Sequence, residues 1–192
     1  MSPQLILVTG GSRSGKSRFA EQLAAEPGGP VLYVATSRRS DAETERRIDA
    51  HRARRPAHWV TLEVGERIGI AIDQHSGRFR SILIEDVGLL VSNVLASLSI
   101  ELGIEVPPEE ASRARVRTEI DALEGARIGS GARWIVVTQE VGMGLIALTP
   151  LGRLFQDVLG WANQQLARRA DELYLVVAGH ALDVKRLGRR VE

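Results

Sequence analysis

The residues Gly10-Gly11-Ser12-Arg13-Ser14-Gly15-Lys16-Ser17 carry the spacing G-x-x-x-x-G-K-[ST] of a phosphate-binding loop. In that pattern successive backbone N–H groups form a nest for phosphate oxygens, and the helix that follows presents its positive end to the same anion. Lys16 then reaches the outer phosphates of a nucleoside triphosphate, and the Ser17 hydroxyl ligates Mg²⁺. A second candidate is Glu85, which closes the apolar run Ser81-Ile82-Leu83-Ile84. A carboxylate there is the Walker B position, which holds Mg²⁺ or its water. Asp86 competes for that role, but alternation along a strand turns only one of the two toward a metal. The third candidate is His51. Arg47, His51 and Arg55 are spaced four apart and share one face of a helix if the helix reaches that far. Two guanidiniums disfavour the imidazolium, keep the ring neutral and nucleophilic, and bind phosphate oxygens. Such a ring can attack an α-phosphorus. From the residues alone, a surface histidine on a solvated, charge-paired helix is the default reading of the same segment.

These residues need a frame to converge. Leu5 to Thr9, Val31 to Ala35, Ser81 to Ile84, Trp134 to Thr138 and Glu172 to Ala178 read as five buried strands, apolar without alternation. Between them, helices are expected over Ser17 to Ala25, Asp41 to Arg54, Leu89 to Leu98, Pro107 to Ala126 and Leu151 to Arg169. This alternation predicts an α/β chain with a mainly parallel sheet and helices on both faces. Function in such sheets gathers at the carboxyl ends of the strands. There stand the Gly-rich loop, then Thr36-Ser37, then Glu85, then Gln139-Glu140-Val141-Gly142. After Gly179 a turn into a short tail is expected.

Composition narrows the chemistry. The 192 residues fit one domain spanning 1–192. There is no Cys, which excludes disulfides, Cys-ligated zinc and thiol catalysis. Lys plus Arg number 25 against 24 Asp plus Glu, a net charge of +1 that gives no case for nucleic-acid binding. The N-terminal apolar stretch is too short for a signal peptide, and Val87 to Ile100 is too short and too polar to span a bilayer. A cytoplasmic protein without a membrane span is expected.

The Gly10–Ser17 loop, Arg47-Ile48 to His51, Arg55-Pro56 and Trp59 together resemble the bifunctional adenosylcobinamide kinase / adenosylcobinamide-phosphate guanylyltransferase family. So do Glu140-Val141-Gly142-Met143-Gly144, Arg153 with Phe155 and Asp157, Asn163, and Ala170-Asp171-Glu172 to Gly179. The resemblance runs through the chain in order. It implies a P-loop NTPase fold of the RecA-like kind and a role in cobalamin biosynthesis. The implied chemistry is phosphorylation of adenosylcobinamide by ATP or GTP, then GMP transfer from GTP to the new phosphate through a guanylyl group carried on His51. It further implies nucleotide contacts at the loop, at Ala35, Thr36 and Ser37, at Arg52, Ala53, Arg54 and Arg55, and at Glu63 and Glu85, and a trimeric assembly. The sequence departs from the family pattern at Gly88, where Thr is usual, at Gln139, where Asn is usual, and at Ala147-Leu148, where Pro-Glu is usual. A plain P-loop kinase without guanylyl transfer, in which His51 is incidental, is the main alternative. A nucleotide switch lacks the guanine-reading N-K-x-D after the fourth strand, where Thr138-Gln139-Glu140-Val141 stands.

Among the remaining residues, Trp59, Trp134 and Trp161 are expected to pack rather than stack on a ligand. His58 is expected at the surface and His75 in a solvent loop. His180 has no assigned role, and Asn163 suggests a core-directed hydrogen bond.

Overall fold

Among the described residues, six of the seven strands run parallel, an arrangement in which each connection must cross the sheet. The computed structural model describes residues 3–37, 56–75 and 78–191. In chain order the elements are β1 (Leu5–Gly10), α1 (Lys16–Ala25), β2 (Val31–Ala35), β3 (Val60–Glu63), α2 (Ile68–Asp73), β4 (Ser81–Glu85) and α3 (Val87–Leu102). There follow α4 (Glu109–Ser130), β5 (Arg133–Val137), α5 (Pro150–Arg169), β6 (Glu172–Val177), β7 (His180–Asp183) and α6 (Val184–Leu187). The sheet order is β3-β2-β4-β5-β1-β6-β7, with β7 alone antiparallel. In β1 and β4, which lie on either side of β5, residues Leu5 to Val8 and Ser81 to Ile84 are almost wholly buried, as a strand covered on both faces must be.

The two sides of the sheet carry separate cores. Leu5, Leu7, Leu32, Val34, Ile82, Ile84, Trp134 and Val136 pack with apolar residues of α2, α3, α4 and α5. Ile6, Val8, Tyr33, Ala35, Leu83, Ile135 and Val137 face the other way, against Ala20, Leu23 and Ala24 of α1 and against Trp59. The expected α/β architecture with helices on both faces is therefore observed.

Several boundaries differ from expectation, each for a local reason. Helix α3 begins two residues before Leu89 because the Asp86 carboxylate accepts the Leu89 amide at 2.8 Å and caps it. It ends at Gly103, whose φ of +64° suits a left-handed cap. Helix α4 runs on to Ser130, past the expected end at Ala126, and stops at Gly131 with φ of +66°. Among the described residues two strands, β3 and β7, and two short helices, α2 and α6, were not expected; where a turn into a short tail was expected after Gly179, β7 and α6 stand. Strand β3 is a four-residue edge with half-exposed side chains, so it lacks the continuous apolar signature. Strand β7 follows a two-residue turn at Ala178 and Gly179, both at positive φ, the geometry of a type I′ hairpin. Ala at the first turn position hides that signal, since non-glycine residues rarely adopt it.

Helix α2 owes its place to α4. The buried Glu119 carboxylate accepts the amides of Arg67 at 2.7 Å and Ile68 at 3.2 Å, at the start of α2. Gly69 presses directly on α4: a Cβ there would lie 2.4 Å from the Ala122 carbonyl. The expected packing role of the tryptophans holds for Trp59 and Trp134, which are buried, while Trp161 is partly buried with the Arg117 guanidinium 5.3 Å from its ring centre. His58 is exposed, as expected. His75 is half-buried instead of solvated, its ring edge-on to Phe79 at 5.6 Å.

Gly69 of α2 and Gly125 of α4 predict opposite responses. Gly69→Ala drives α2 off α4 and should cost about 1–3 kcal/mol, as overpacking does. Gly125→Ala meets nothing within 4 Å in mid-helix and should stabilise by about 0.5–1 kcal/mol. Urea denaturation of the two variants measures both; equal midpoints would show that the α2–α4 contact is looser than described.

Candidate functional site

The carboxyl ends of the parallel strands bring most of the chemistry-bearing residues to one edge. The Gly-rich loop leaves β1 at Gly10 and enters α1 at Lys16. Its course is set by close approaches that admit only glycine. A Cβ on Gly10, at φ of +156°, would lie 2.4 Å from the Val176 carbonyl oxygen and 2.8 Å from Ser14 Oγ. Gly15, at φ of +100°, is the N-cap of α1 and packs against the β6–β7 turn, with Gly179 Cα 3.4 Å from where its Cβ would stand. The Gly179 amide donates to the Ser14 carbonyl at 2.8 Å, so the hairpin turn holds the loop from the side. Arg13 adopts φ of +56°. Lys16 Nζ donates to the Gly11 carbonyl at 3.5 Å, arching back over the loop. Ser14 Oγ is buried with no hydrogen-bond partner among the described residues.

Glu85 closes β4 and Asp86 opens α3, and the two carboxylates have different partners. Glu85 lies in register with Ala35 and Val137, whose side chains belong to the core on the α1 side. Its Oε2 accepts the Tyr33 hydroxyl at 2.8 Å, which fixes the carboxylate at the strand's end. Asp86 is buried on the α3 side, where it caps that helix and accepts Gln139 Nε2 at 2.9 Å. Burial pushes its carboxyl above the ordinary range; the bonds from Gln139 and Leu89 pull it down, Glu85 pushes it up again, and Lys16 pulls it down.

Thr36 ties β2 to this corner. Its hydroxyl donates to the Asp86 carbonyl at 2.8 Å and accepts the Asp86 amide at 2.7 Å, while its own amide donates to the Glu85 carbonyl at 3.0 Å. Asn93 of α3 then donates to the carbonyls of Thr36 at 2.9 Å and Gly65 at 3.0 Å, closing the ends of β2 and β3 together. Glu63 ends β3 in register with Ala35, on the same row as Glu85. On the other flank, the Glu140 amide donates to the Gly10 carbonyl at 3.3 Å. Asn163 of α5 accepts the Thr138 hydroxyl at 2.5 Å and donates to the Gln139 carbonyl at 2.9 Å. The expectation of a core-directed hydrogen bond for Asn163 is thus met.

The structure therefore gathers Gly10, Gly11, Ser12, Arg13, Ser14, Gly15, Lys16 and Ser17 with Ala35, Thr36, Ser37, Glu63 and Glu85 along one edge. His51, Arg47, Arg52, Ala53, Arg54 and Arg55 lie outside the described residues. Tyr33 and Asn93 were not singled out from the sequence. Each carried a signal: Tyr33 is the one hydroxyl in the buried run Val31 to Ala35, and Asn93 is a lone amide in the apolar stretch of α3. Among the described residues no three His, Asp or Glu side chains are placed to cage a metal ion. A Mg²⁺ that takes one carboxylate, one hydroxyl, water and substrate phosphate needs no such cage, and Glu85 with Ser17 is a donor set of that kind.

The cobinamide kinase / cobinamide phosphate guanyltransferase family model matches residues 6–184. The chain belongs to this family. The bifunctional adenosylcobalamin biosynthesis protein CobU of Escherichia coli is 40% identical over 185 residues, covering 94% of this chain and 99% of the relative. The protein of the same name from Salmonella typhimurium is 40% identical over 181 residues, covering 94% and 99%. The bifunctional adenosylcobalamin biosynthesis protein CobP of Pseudomonas aeruginosa is 36% identical over 179 residues, covering 93% and 96%.

Within this family framework, two departures noted in the sequence meet in space. A Cβ on Gly88 would lie 3.1 Å from Asp86 Oδ1 and 3.3 Å from the Gln139 amide carbon and nitrogen. The longer Gln139 side chain thus fills room that a side chain at 88 would need. Gly88→Ala should destabilise the wild type yet not the Gln139→Ala background, with a coupling of about 1 kcal/mol in a double-mutant cycle. Chemical denaturation of the four proteins measures it, and additivity within about 0.3 kcal/mol would show the two sites to be independent.

Proposed function

We propose that this chain phosphorylates adenosylcobinamide and then guanylylates the product in cobalamin biosynthesis. The observation that carries this reading is the family match along nearly the whole chain, with the glycine-rich loop and a strand-end carboxylate at the same edge of the sheet. In the first step the acceptor hydroxyl oxygen attacks the γ-phosphorus of ATP or GTP. The nucleoside diphosphate leaves, and the hydroxyl proton passes to solvent or a nearby base. The amides of Gly11 to Ser17 and the Lys16 ammonium stabilise charge on the transferring phosphoryl group. Ser17 and Glu85 would hold Mg²⁺, which neutralises phosphate charge when bound. Tyr33, by donating to Glu85, keeps that carboxylate at the strand end.

In the second step the neutral His51 imidazole attacks the α-phosphorus of GTP and pyrophosphate leaves. A phosphate oxygen of adenosylcobinamide phosphate then attacks the same phosphorus, releases the imidazole and gives adenosyl-GDP-cobinamide. Arg52 to Arg55, Thr36, Ser37 and Glu63 complete the nucleotide contacts in this reading. The assembly is a trimer in the cytoplasm; among the described residues no helix is long and apolar enough to cross a membrane.

Product analysis with adenosylcobinamide, ATP, GTP and Mg²⁺ tests the scheme. Wild type should give the GDP-linked product, and His51→Ala should stop at the phosphorylated intermediate. With α-labelled GTP, wild type should carry an acid-labile, base-stable label that His51→Ala lacks. Lys16→Ala should slow the kinase step by about 10²–10³-fold, the cost of one transition-state donor. Undiminished GDP-linked product from His51→Ala would remove the covalent step and leave a kinase in which that histidine is incidental.

A further inference from the structure

The loop between β5 and α5 combines a braced backbone with outward apolar side chains. Gln156 of α5 accepts the Ala147 amide at 2.9 Å and donates to the carbonyls of Val141 at 3.1 Å and Leu145 at 3.3 Å. Arg153 donates to the carbonyls of Ala147 at 3.1 Å and Leu148 at 3.0 Å. Glu140 accepts the Gly142 amide at 2.9 Å. Yet Met143, Leu145, Ile146 and Leu148 are 79%, 94%, 78% and 95% exposed. A loop so held cannot fold its apolar groups inward, and a cluster of this kind at the surface marks a place where something binds.

We propose that Met143, Leu145, Ile146 and Leu148 form the docking surface for the corrin ring of the acceptor. The proposal rests on the kinase and guanylyltransferase reading above. Three observations favour this occupant. The loop starts at Glu140, whose amide is bonded to Gly10, so it leaves the sheet edge next to the phosphate loop. The acceptor in both steps is a corrinoid, whose macrocycle and ring methyl groups offer apolar surface beside its amide side chains, whereas the nucleotide's triphosphate and ribose are polar throughout. Among the described residues, the other large exposed apolar side chains at this edge, Leu89 and Val177, stand singly. The surface sets where the ring rests and thereby which hydroxyl reaches the γ-phosphate.

Two double variants, Leu145→Ser with Leu148→Ser and Met143→Ser with Ile146→Ser, test the surface, with Ile128→Ser on α4 as a control at a remote exposed apolar side chain. Steady-state kinase assays with adenosylcobinamide and sedimentation velocity are run on each. The expected result is a rise in KM for adenosylcobinamide of about 10-fold or more, as loss of two apolar contacts implies. The nucleotide KM, the rate at saturating acceptor and the sedimentation coefficient stay at wild-type values, which also reports an intact fold. An unchanged acceptor KM overturns the proposal. So does a fall in sedimentation coefficient in the loop variants alone, which would make the loop a contact between copies of the chain. Wild type without adenosylcobinamide-dependent turnover would overturn the function itself, a result distinct from active variants that match an active wild type.

Discussion

The carbonyl of Val176 stands so close to Gly10 that no side chain can occupy the first position of the phosphate loop. Much of the site follows from that approach. With β6 paired to β1 through Gly10, the hairpin turn beyond β6 is brought against the middle of the loop, where the Gly179 amide bonds Ser14. The antiparallel β7, an addition at the sheet's edge, thereby has a consequence for the nucleotide cradle: its turn is a lateral wall. Loops that hold anions on backbone amides must be kept in shape by something other than the anion, because a nest that collapses in its absence would spend binding energy on re-forming. Here the wall, the glycines and the start of α1 supply that rigidity.

The opposite side of the cradle solves a different problem, that of two adjacent acids. Two like charges side by side disfavour one another unless each has its own partners. Glu85, at the strand's end, bonds Tyr33 on the α1 side, while Asp86 caps α3 on the other. A buried acid is costly. Asp86 is compensated by capping α3 and by the Gln139 amide, bonds to a charged acceptor worth about 1.5–3 kcal/mol each. Thr36 and Asn93 then fasten the neighbouring strand ends to the same corner. The residues next to the reaction edge are thus largely engaged in holding backbone, and few of them are free to change one at a time.

Most of the parallel frame was legible in the sequence because central strands are apolar on both faces and the glycine spacing has a single physical purpose. What escaped notice lay at the margins. Strand β3 and helix α2 are short and depend on partners far along the chain, β2 for the one and Glu119 for the other. The β6–β7 hairpin was hidden because Ala178 takes a conformation usually left to glycine or asparagine. The positions of Lys16 and Ser17 at the start of α1 and of Glu85 at the end of β4 could be read from spacing, whereas the contacts of Tyr33, of Asn93 and of Gln139 with Gly88 could not, since each joins residues far apart in the chain. Asp86 illustrates the limit well: its type and position were plain, but its direction was decided by the helix it caps.

Helix N-termini offer a last consistency between local structure and chemistry. The side chains of Asp86, Thr149 and Asp183 cap α3, α5 and α6. Helix α4 carries Glu109 and Glu110 in its first turn, and α2 receives the Glu119 carboxylate from α4. Helix α1 has none of these: glycine stands at its N-cap, without a side-chain bond, and no acid lies in its first turn. Every other described helix start has either a side-chain oxygen bonded to its amides or, in α4, acids in its first turn. An acid at the start of α1 would stabilise the helix by about 0.3–1 kcal/mol and would compete for the same amides with a phosphate. Its absence gives up that stability where the loop, Lys16 and the helix dipole converge. A chain of almost zero net charge can therefore favour a polyanion at one point, through oriented amides and one ammonium, without a basic surface that would attract nucleic acid elsewhere.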